Sequence, residues 1–116
     1  MEYRFTNDKS LYLQIMDLFK CAIVSGEYLP GSKVESVRDL AVQAQVNPNT
    51  MQKALSELER EGLVKSERTS GRFITDDLEK IAEIKNQLAK SEISKFLEKM
   101  NSLGFTKEQI LKFIGE

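Results

Sequence analysis

Four polar residues, Asn49, Gln52, Lys53 and Ser56, lie at helical positions i, i+3, i+4 and i+7 and therefore share one face of a predicted helix. The apolar residues of the same segment fall on the opposite face, at Met51, Leu55 and Leu58. Asparagine and glutamine amides can pair bidentately with adenine, and a lysine can reach guanine or a phosphate. This face can therefore contact DNA; the alternative is an ordinary solvated helix surface.

The same helix has a well-marked beginning at Asn47 and Pro48. Asparagine is a preferred N-cap, and proline is preferred at the first helical position. A helix that points its N-terminus at DNA offers free backbone N–H groups and a partial positive charge to phosphate. We expect Asn47 and Thr50 to add side-chain hydrogen bonds there, although both residue types also cap helices that bind nothing.

Two arginines, Arg68 and Arg72, bracket the turn-forming residues Thr69, Ser70 and Gly71. Short apolar segments flank this stretch, and the loss of helical periodicity predicts a β-hairpin over residues 63–75. A narrow minor groove attracts arginine through its negative potential. We therefore expect Arg68 and Arg72 to contact a groove or a phosphate, against the alternative of a solvated hairpin tip.

Other chemistry is largely excluded by composition. The 116 residues include no histidine, a single cysteine and no glycine-rich phosphate-binding motif. We therefore predict that the chain is not an enzyme and has no catalytic residues, metal or cofactor. The sequence shows neither a membrane-spanning segment nor a signal peptide, so we expect a cytoplasmic protein.

Hydrophobic periodicity predicts a mainly α-helical chain with one small hairpin. Helices are expected over residues 11–25, from residue 36, from residue 48 to Gly62, over about 76–103, and after Thr106, with a linker over 27–35. Two short helices joined by a tight turn and followed by a hairpin form a winged helix-turn-helix. We assign residues 1–75 to this DNA-binding domain and residues 76–116 to a helical dimerisation region.

The second region has more apolar side chains than two helices can bury alone. They are Leu88, Phe96, Leu97, Met100, Phe105, Ile110, Phe113 and Ile114. These side chains could fold back on the first domain or pack against a second copy, and we favour a homodimer because small chains gain most from further burial. A two-fold dimer predicts a near-palindromic operator.

Charge is the observation that opposes DNA binding. The net charge is −1, and residues 1–75 carry ten basic and ten acidic side chains. A basic domain would favour a nucleic acid, whereas a neutral one leaves open a winged-helix module that binds proteins and not DNA. The polar character of positions 49, 52 and 53 argues against that alternative.

Several motifs in order carry a resemblance to a known family. They are Ser36-Val37-Arg38-Asp39-Leu40-Ala41, Val46-Asn47-Pro48-Asn49-Thr50, Leu58-Glu59-Arg60-Glu61-Gly62-Leu63-Val64 and Gly71-Arg72-Phe73-Ile74. Together they resemble the N-terminal domain of GntR-superfamily bacterial repressors, and the short tail is similar to the YtrA-type subfamily. The resemblance implies an operator-binding homodimer that contacts DNA through Arg38, Asn47, Asn49, Thr50, Arg68 and Gly71.

Two departures from the family pattern bear on this site. Glu35 stands where relatives have proline, and it places a negative charge near the phosphate contact expected of Arg38. The wing also lacks the first glycine of the usual Arg-Gly-x-Gly. The tail is too short to enclose a conventional ligand pocket by itself, so a small effector, if one binds, would use the dimer interface or the space between tail and first domain.

Overall fold

Five helices and one antiparallel hairpin follow one another in the computed structural model, which describes residues 1–116. In chain order they are α1 (Leu11–Ser25), α2 (Val37–Ala44), α3 (Pro48–Arg60), β1 (Val64–Glu67), β2 (Gly71–Ile74), α4 (Leu78–Ser102) and α5 (Lys107–Ile114). The predicted mainly helical fold with a hairpin wing is therefore confirmed. None of the helices combines the length and apolarity that a membrane-spanning segment requires.

The chain forms two compact units, Met1–Ile84 and Lys85–Glu116. In the first unit, α3 packs against both α1 and α2 and is continued by β1. The largest fully buried side chains of its core are Phe19, Ile15, Leu40, Met51, Leu55, Leu58, Leu63 and Ile74. Complete burial of a side chain of this size contributes about 1.5–3 kcal/mol. With its apolar side held inside, α3 must present its polar side to solvent.

Helix starts follow the local sequence. Ser36 accepts a hydrogen bond from the Asp39 N–H and caps α2. Thr106 and Gln109 form the predicted reciprocal capping box of α5, in which each side chain bonds the other's backbone N–H. These short bonds satisfy amides that the first turn of a helix leaves without a partner.

The segment before α2 was predicted to be a linker, and the structure gives it neither a helix nor a strand. It nevertheless contacts β2: Lys33 forms an isolated bridge with Phe73, the Val34 N–H donates to the Arg72 carbonyl at 2.9 Å, and the Ile74 N–H donates to the Ser32 carbonyl at 2.8 Å. An isolated bridge is too short to leave an alternating pattern, so the sequence does not reveal it.

The second unit, residues 85–116, leaves much of its apolar surface exposed. Phe105 and Phe113 meet edge to face, with ring centroids 5.5 Å apart, and Ile110 is buried inside the unit. Ile110 was predicted to lie in a dimer contact, but it is only 4% exposed and belongs to this internal packing. The exposed large apolar residues of the unit are Ile93, Phe96, Leu103, Leu111, Phe113 and Ile114.

Candidate nucleic-acid interface

The outward face of α3 consists of the polar residues that the sequence places there. Asn49, Gln52, Lys53 and Ser56 are all exposed, and the apolar residues of the helix are buried behind them. The Gln52 Nε2 donates to the Ser56 Oγ at 3.2 Å, and the side-chain amide of Asn49 makes no hydrogen bond within the chain. This face therefore carries hydrogen-bonding groups that remain available to another molecule.

Lys53 differs from its neighbours because it contacts an aromatic ring. Its Nζ lies 3.9 Å from the centroid of the Tyr12 ring, in the first turn of α1. Such a cation–π contact contributes about 0.5–1 kcal/mol at an exposed site. The ring fixes the ammonium group at the edge of the outward face and limits the conformations of a long, flexible side chain.

The N-terminus of α3 does not offer the free amides that we expected. Pro48 has no N–H, the Asn49 N–H donates to the Asn47 Oδ1 at 2.7 Å, and the Thr50 N–H donates to the Asn47 carbonyl at 3.0 Å. The N-cap and its carbonyl therefore satisfy these amides within the chain, while the contacts of Asn47 and Thr50 with DNA stay predictions. Asn47 acts here as a cap, and contacts at this end have to come from side chains.

The wing places its two arginines in different surroundings. Arg68 lies at the exposed tip without an ion pair, whereas the Arg72 Nε donates to the Glu59 Oε1 at 2.9 Å and its side chain is 21% exposed. The Ser66 hydroxyl donates to the same carboxylate. Arg72 therefore attaches the wing to α3, and its groove or phosphate contact stays a prediction; Arg68 lies at the tip, where the sequence places it.

Glu59 joins α3 to both strands of the hairpin, and this contact has a measurable pH dependence. The hydrogen bond from Ser66, followed by the bond and charge of Arg72, lowers the pKa of Glu59 below its ordinary value of 4.5. A carboxyl whose pKa is lowered by folding stabilises the folded state above its unfolded pKa, and that stability is lost as the pH falls through the folded value.

We therefore expect Glu59→Gln to lower the free energy of unfolding by about 1 kcal/mol at pH 7, because charge-assisted bonds are replaced by weaker ones. Urea titrations should show that the difference in unfolding free energy between variant and wild type shrinks from pH 7 to an acid pH below 4.5, as the pH falls through the lowered folded-state pKa of Glu59. Glu67→Gln, on the exposed wing and without an ion pair, is the matched control. An equal gap at both pH values would contradict this role.

Ion pairing determines which basic side chains remain available in a region of neutral net charge. Of the ten basic side chains in residues 1–75, six pair with carboxylates within this unit. The four without a carboxylate partner are Lys33, Arg38, Lys53 and Arg68. Three of these were predicted to contact DNA, so the cations that remain available are concentrated in the predicted interface.

Lys33 is the member of this set that sequence reasoning missed. It lines a cleft of about 640 Å³ between the start of α2 and β2, together with Ser36, Ser70 and Gly71. Gly71 has a φ of +100°, and a side chain there would meet the Lys33 Cε at 3.4 Å. The wing and the start of α2 thus border one recess, and the isolated bridge that brings Lys33 there leaves no pattern in the sequence.

Glu35, the acidic departure near Arg38, has a partner of its own. The Tyr28 hydroxyl donates to the Glu35 Oε1 at 2.8 Å, and the Tyr28 ring stacks on the buried Phe19. Burial, followed by this bond to a carboxylate, raises the pKa of Tyr28. The carboxylate is therefore held by Tyr28, while the guanidinium of Arg38 is exposed and makes no ion pair.

The contact between Tyr12 and Lys53 predicts coupled effects on DNA binding. Tyr12→Leu should weaken binding about two- to fivefold, because the ammonium group loses its support on the ring, and Tyr12→Phe should bind as the wild type does. Fluorescence anisotropy with a labelled duplex would measure both variants. In a Lys53→Ala background the Tyr12→Leu change should have no further effect; an undiminished effect there would show that Tyr12 acts independently of Lys53.

A protein-family model agrees with this geometry. The model described as "Bacterial regulatory proteins, gntR family" matches residues 11–74, which run from the start of α1 to the end of β2. A Bacillus subtilis (strain 168) protein described as an uncharacterized HTH-type transcriptional regulator, YhcF, is 42% identical over 114 residues, covering 98% of this chain and 94% of that protein. The HTH-type transcriptional repressor YtrA of the same strain is 33% identical over 107 residues, covering 91% and 82%.

Solved structures show the same arrangement. A GntR family transcriptional regulator from Listeria monocytogenes superimposes with a TM-score of 0.88 at 36% identity, covering 96% of this chain and 97% of that one. The DNA-binding domain of AraR, solved in complex with operator ORX1, superimposes with a TM-score of 0.57 at 28% identity, covering 65% of this chain and 96% of that one.

Proposed function

The chain belongs to the GntR family of bacterial regulatory proteins, and on that premise we propose that it binds a near-palindromic operator as a homodimer. It is a DNA-binding transcription regulator and not an enzyme. We propose that this chain represses transcription, because its relative YtrA is described as a repressor. The cytoplasm, where bacterial DNA lies, is then its place of action.

One observation carries the proposal for the DNA contacts. The exposed side of α3, the tip of the wing and the start of α2 hold three of the four basic side chains of residues 1–75 that have no carboxylate partner, namely Lys53, Arg68 and Arg38. We propose that α3 enters the major groove with Asn49, Thr50, Gln52 and Lys53, that Arg38 binds phosphate, and that the wing contributes Arg68 and Gly71.

The winged-helix module that binds proteins instead of DNA is the alternative function. Such a surface would need large apolar residues at its centre, since interface cores are enriched in aromatic and apolar side chains. Apart from Pro48, the exposed residues of α3 are asparagine, glutamine, lysine, serine and arginine. This composition supports binding to hydrogen-bonding base edges and charged phosphates.

The proposed dimer uses the second unit. Phe96, Leu103, Leu111 and Ile114 expose large apolar side chains within 32 residues, at 44%, 62%, 59% and 67%. Large exposed apolar patches mark interaction sites, which supports a partner for this unit. Ile93, Phe96 and Met100 in α4, with Leu103 directly after it, also follow spacings of three and four, the pattern of a stripe that packs against another helix. Binding of a small effector, the remaining partner expected from the sequence, stays a prediction.

The direct test is selection of duplexes from a randomised DNA library by the full chain, followed by affinity measurements at two salt concentrations. We expect a selected sequence with two-fold symmetry and an affinity that falls steeply with salt, because released counterions drive binding to phosphates. The proposal would be overturned if the selection enriched no DNA sequence, or if the affinity did not depend on salt.

A further inference from the structure

Few side chains of α3 can form paired hydrogen bonds with a base, and those that can favour one base. The face outward from the core carries two amide side chains in the first two turns of the helix, Asn49 and Gln52, and no arginine there. Arg60, the single arginine of α3, lies at its last position and pairs with Glu57 at 3.1 Å. Arginine bidentate to guanine O6 and N7 is the commonest specific contact in the major groove, and this helix does not offer it.

Lysine could also reach guanine, but Lys53 is engaged elsewhere. Its ammonium group lies over the Tyr12 ring, on the side of α3 that faces α1. An ammonium held there is placed for a phosphate at the edge of the groove and not for a base at its floor. The remaining side chains that can form paired hydrogen bonds with one base are the two amides.

The amide of Gln52 is also oriented. Its Nε2 donates one hydrogen to the Ser56 Oγ at 3.2 Å, which leaves one N–H and the carbonyl oxygen without a partner in the chain. Adenine presents N7 as an acceptor and the N6 amino group as a donor in the major groove. One free N–H and one free carbonyl are the complement of that pair, so Ser56 acts as a positioning residue for Gln52.

We infer that α3 reads adenine, with Gln52 and Asn49 as the specificity-determining side chains and Ser56 as the residue that orients the Gln52 amide. This inference rests on the proposed function and adds to it the base that each half-site must contain. Asn49 contributes an amide that is free of internal bonds, one turn nearer to the N-terminus of the helix.

The experiment compares base preferences of full-length variants on the duplex selected by the wild type, with each position replaced in turn. The wild type should prefer adenine over guanine about tenfold or more at one position of each half-site, and Gln52→Ala should reduce that preference to about twofold or less. Gln52→Arg should prefer guanine at the same position, because its guanidinium fits O6 and N7. Ser56→Ala should keep adenine with a preference reduced about threefold.

Two controls separate base reading from charge and from loss of folding. Gln43→Arg adds the same charge on exposed α2 and should change affinity for all sequences alike. A duplex with 7-deazaadenine at the critical position lacks the N7 acceptor, and it should weaken the wild type while leaving Gln52→Ala unaffected. A uniform gain of affinity in Gln52→Arg, without a change of preferred base, would overturn this inference alone. If the wild type bound no duplex selectively, the proposed function would fall with it.

Discussion

The double variant Phe96→Asp, Leu103→Asp is expected to be monomeric and to bind the operator about a hundredfold or more weakly than the wild type does. Both side chains are exposed in the chain, so the variant should fold, but a dimer would have to bury two charges from each copy. Joining two half-site contacts in one dimer raises affinity by about 10²–10⁴, and this gain disappears with dissociation. Sedimentation equilibrium and anisotropy titrations would measure the two effects.

A matched control and a half-site duplex make this prediction decisive. Leu78→Asp replaces another exposed leucine, at the first residue of α4 in the other unit, and should leave the dimer intact. On a duplex with a single half-site, the double variant should bind as well as the wild type does, because its α3 and wing are unchanged. A variant that remains dimeric would show that another surface holds the two copies together.

The sequence predicts most of this fold because its information is local. Asn47-Pro48 defines the start of α3, and Thr106 with Gln109 defines the start of α5, through bonds that span three residues or fewer. The polar face of α3 follows from helical spacing alone, since the core side of the same helix is apolar. Such features need no knowledge of distant residues.

Two features that the sequence did not reveal depend on distant contacts. Lys33 reaches the wing through pairing with Phe73, forty residues later in the chain. Arg72 bonds to Glu59 on another element, and this attachment of the wing is a contact that its position in the sequence does not indicate. The amides at the start of α3 are not free, and the cause is local. Pro48 has no N–H, and the Asn47 cap accepts hydrogen bonds from the amides that follow it. The residue types indicated a DNA-binding surface, but ion pairs and hydrogen bonds within the chain determine which of its side chains remain available.

Arg38→Ala is expected to weaken binding to every duplex sequence by about tenfold for each half-site. Arg38 is exposed at the second residue of α2, and its guanidinium makes no ion pair within the chain. A hydrogen bond to a charged group contributes about 1.5–3 kcal/mol, and 1.4 kcal/mol corresponds to a factor of ten in affinity. A phosphate contact has no base specificity, so selected and unselected duplexes should lose affinity alike.

The salt dependence provides the sharper measurement of the same change. Each phosphate that loses its cationic partner should reduce the slope of log affinity against log salt by about 0.9 per half-site. Arg60→Ala removes the same charge from the same unit, but Arg60 pairs with Glu57 at the last residue of α3, so the slope should hardly change. An Arg38→Ala loss confined to particular sequences would instead make Arg38 a base-reading residue, while equal slopes in the two variants would mean that only net charge matters. A flatter slope in Arg38→Ala alone is the result expected if α2 lies along the DNA backbone.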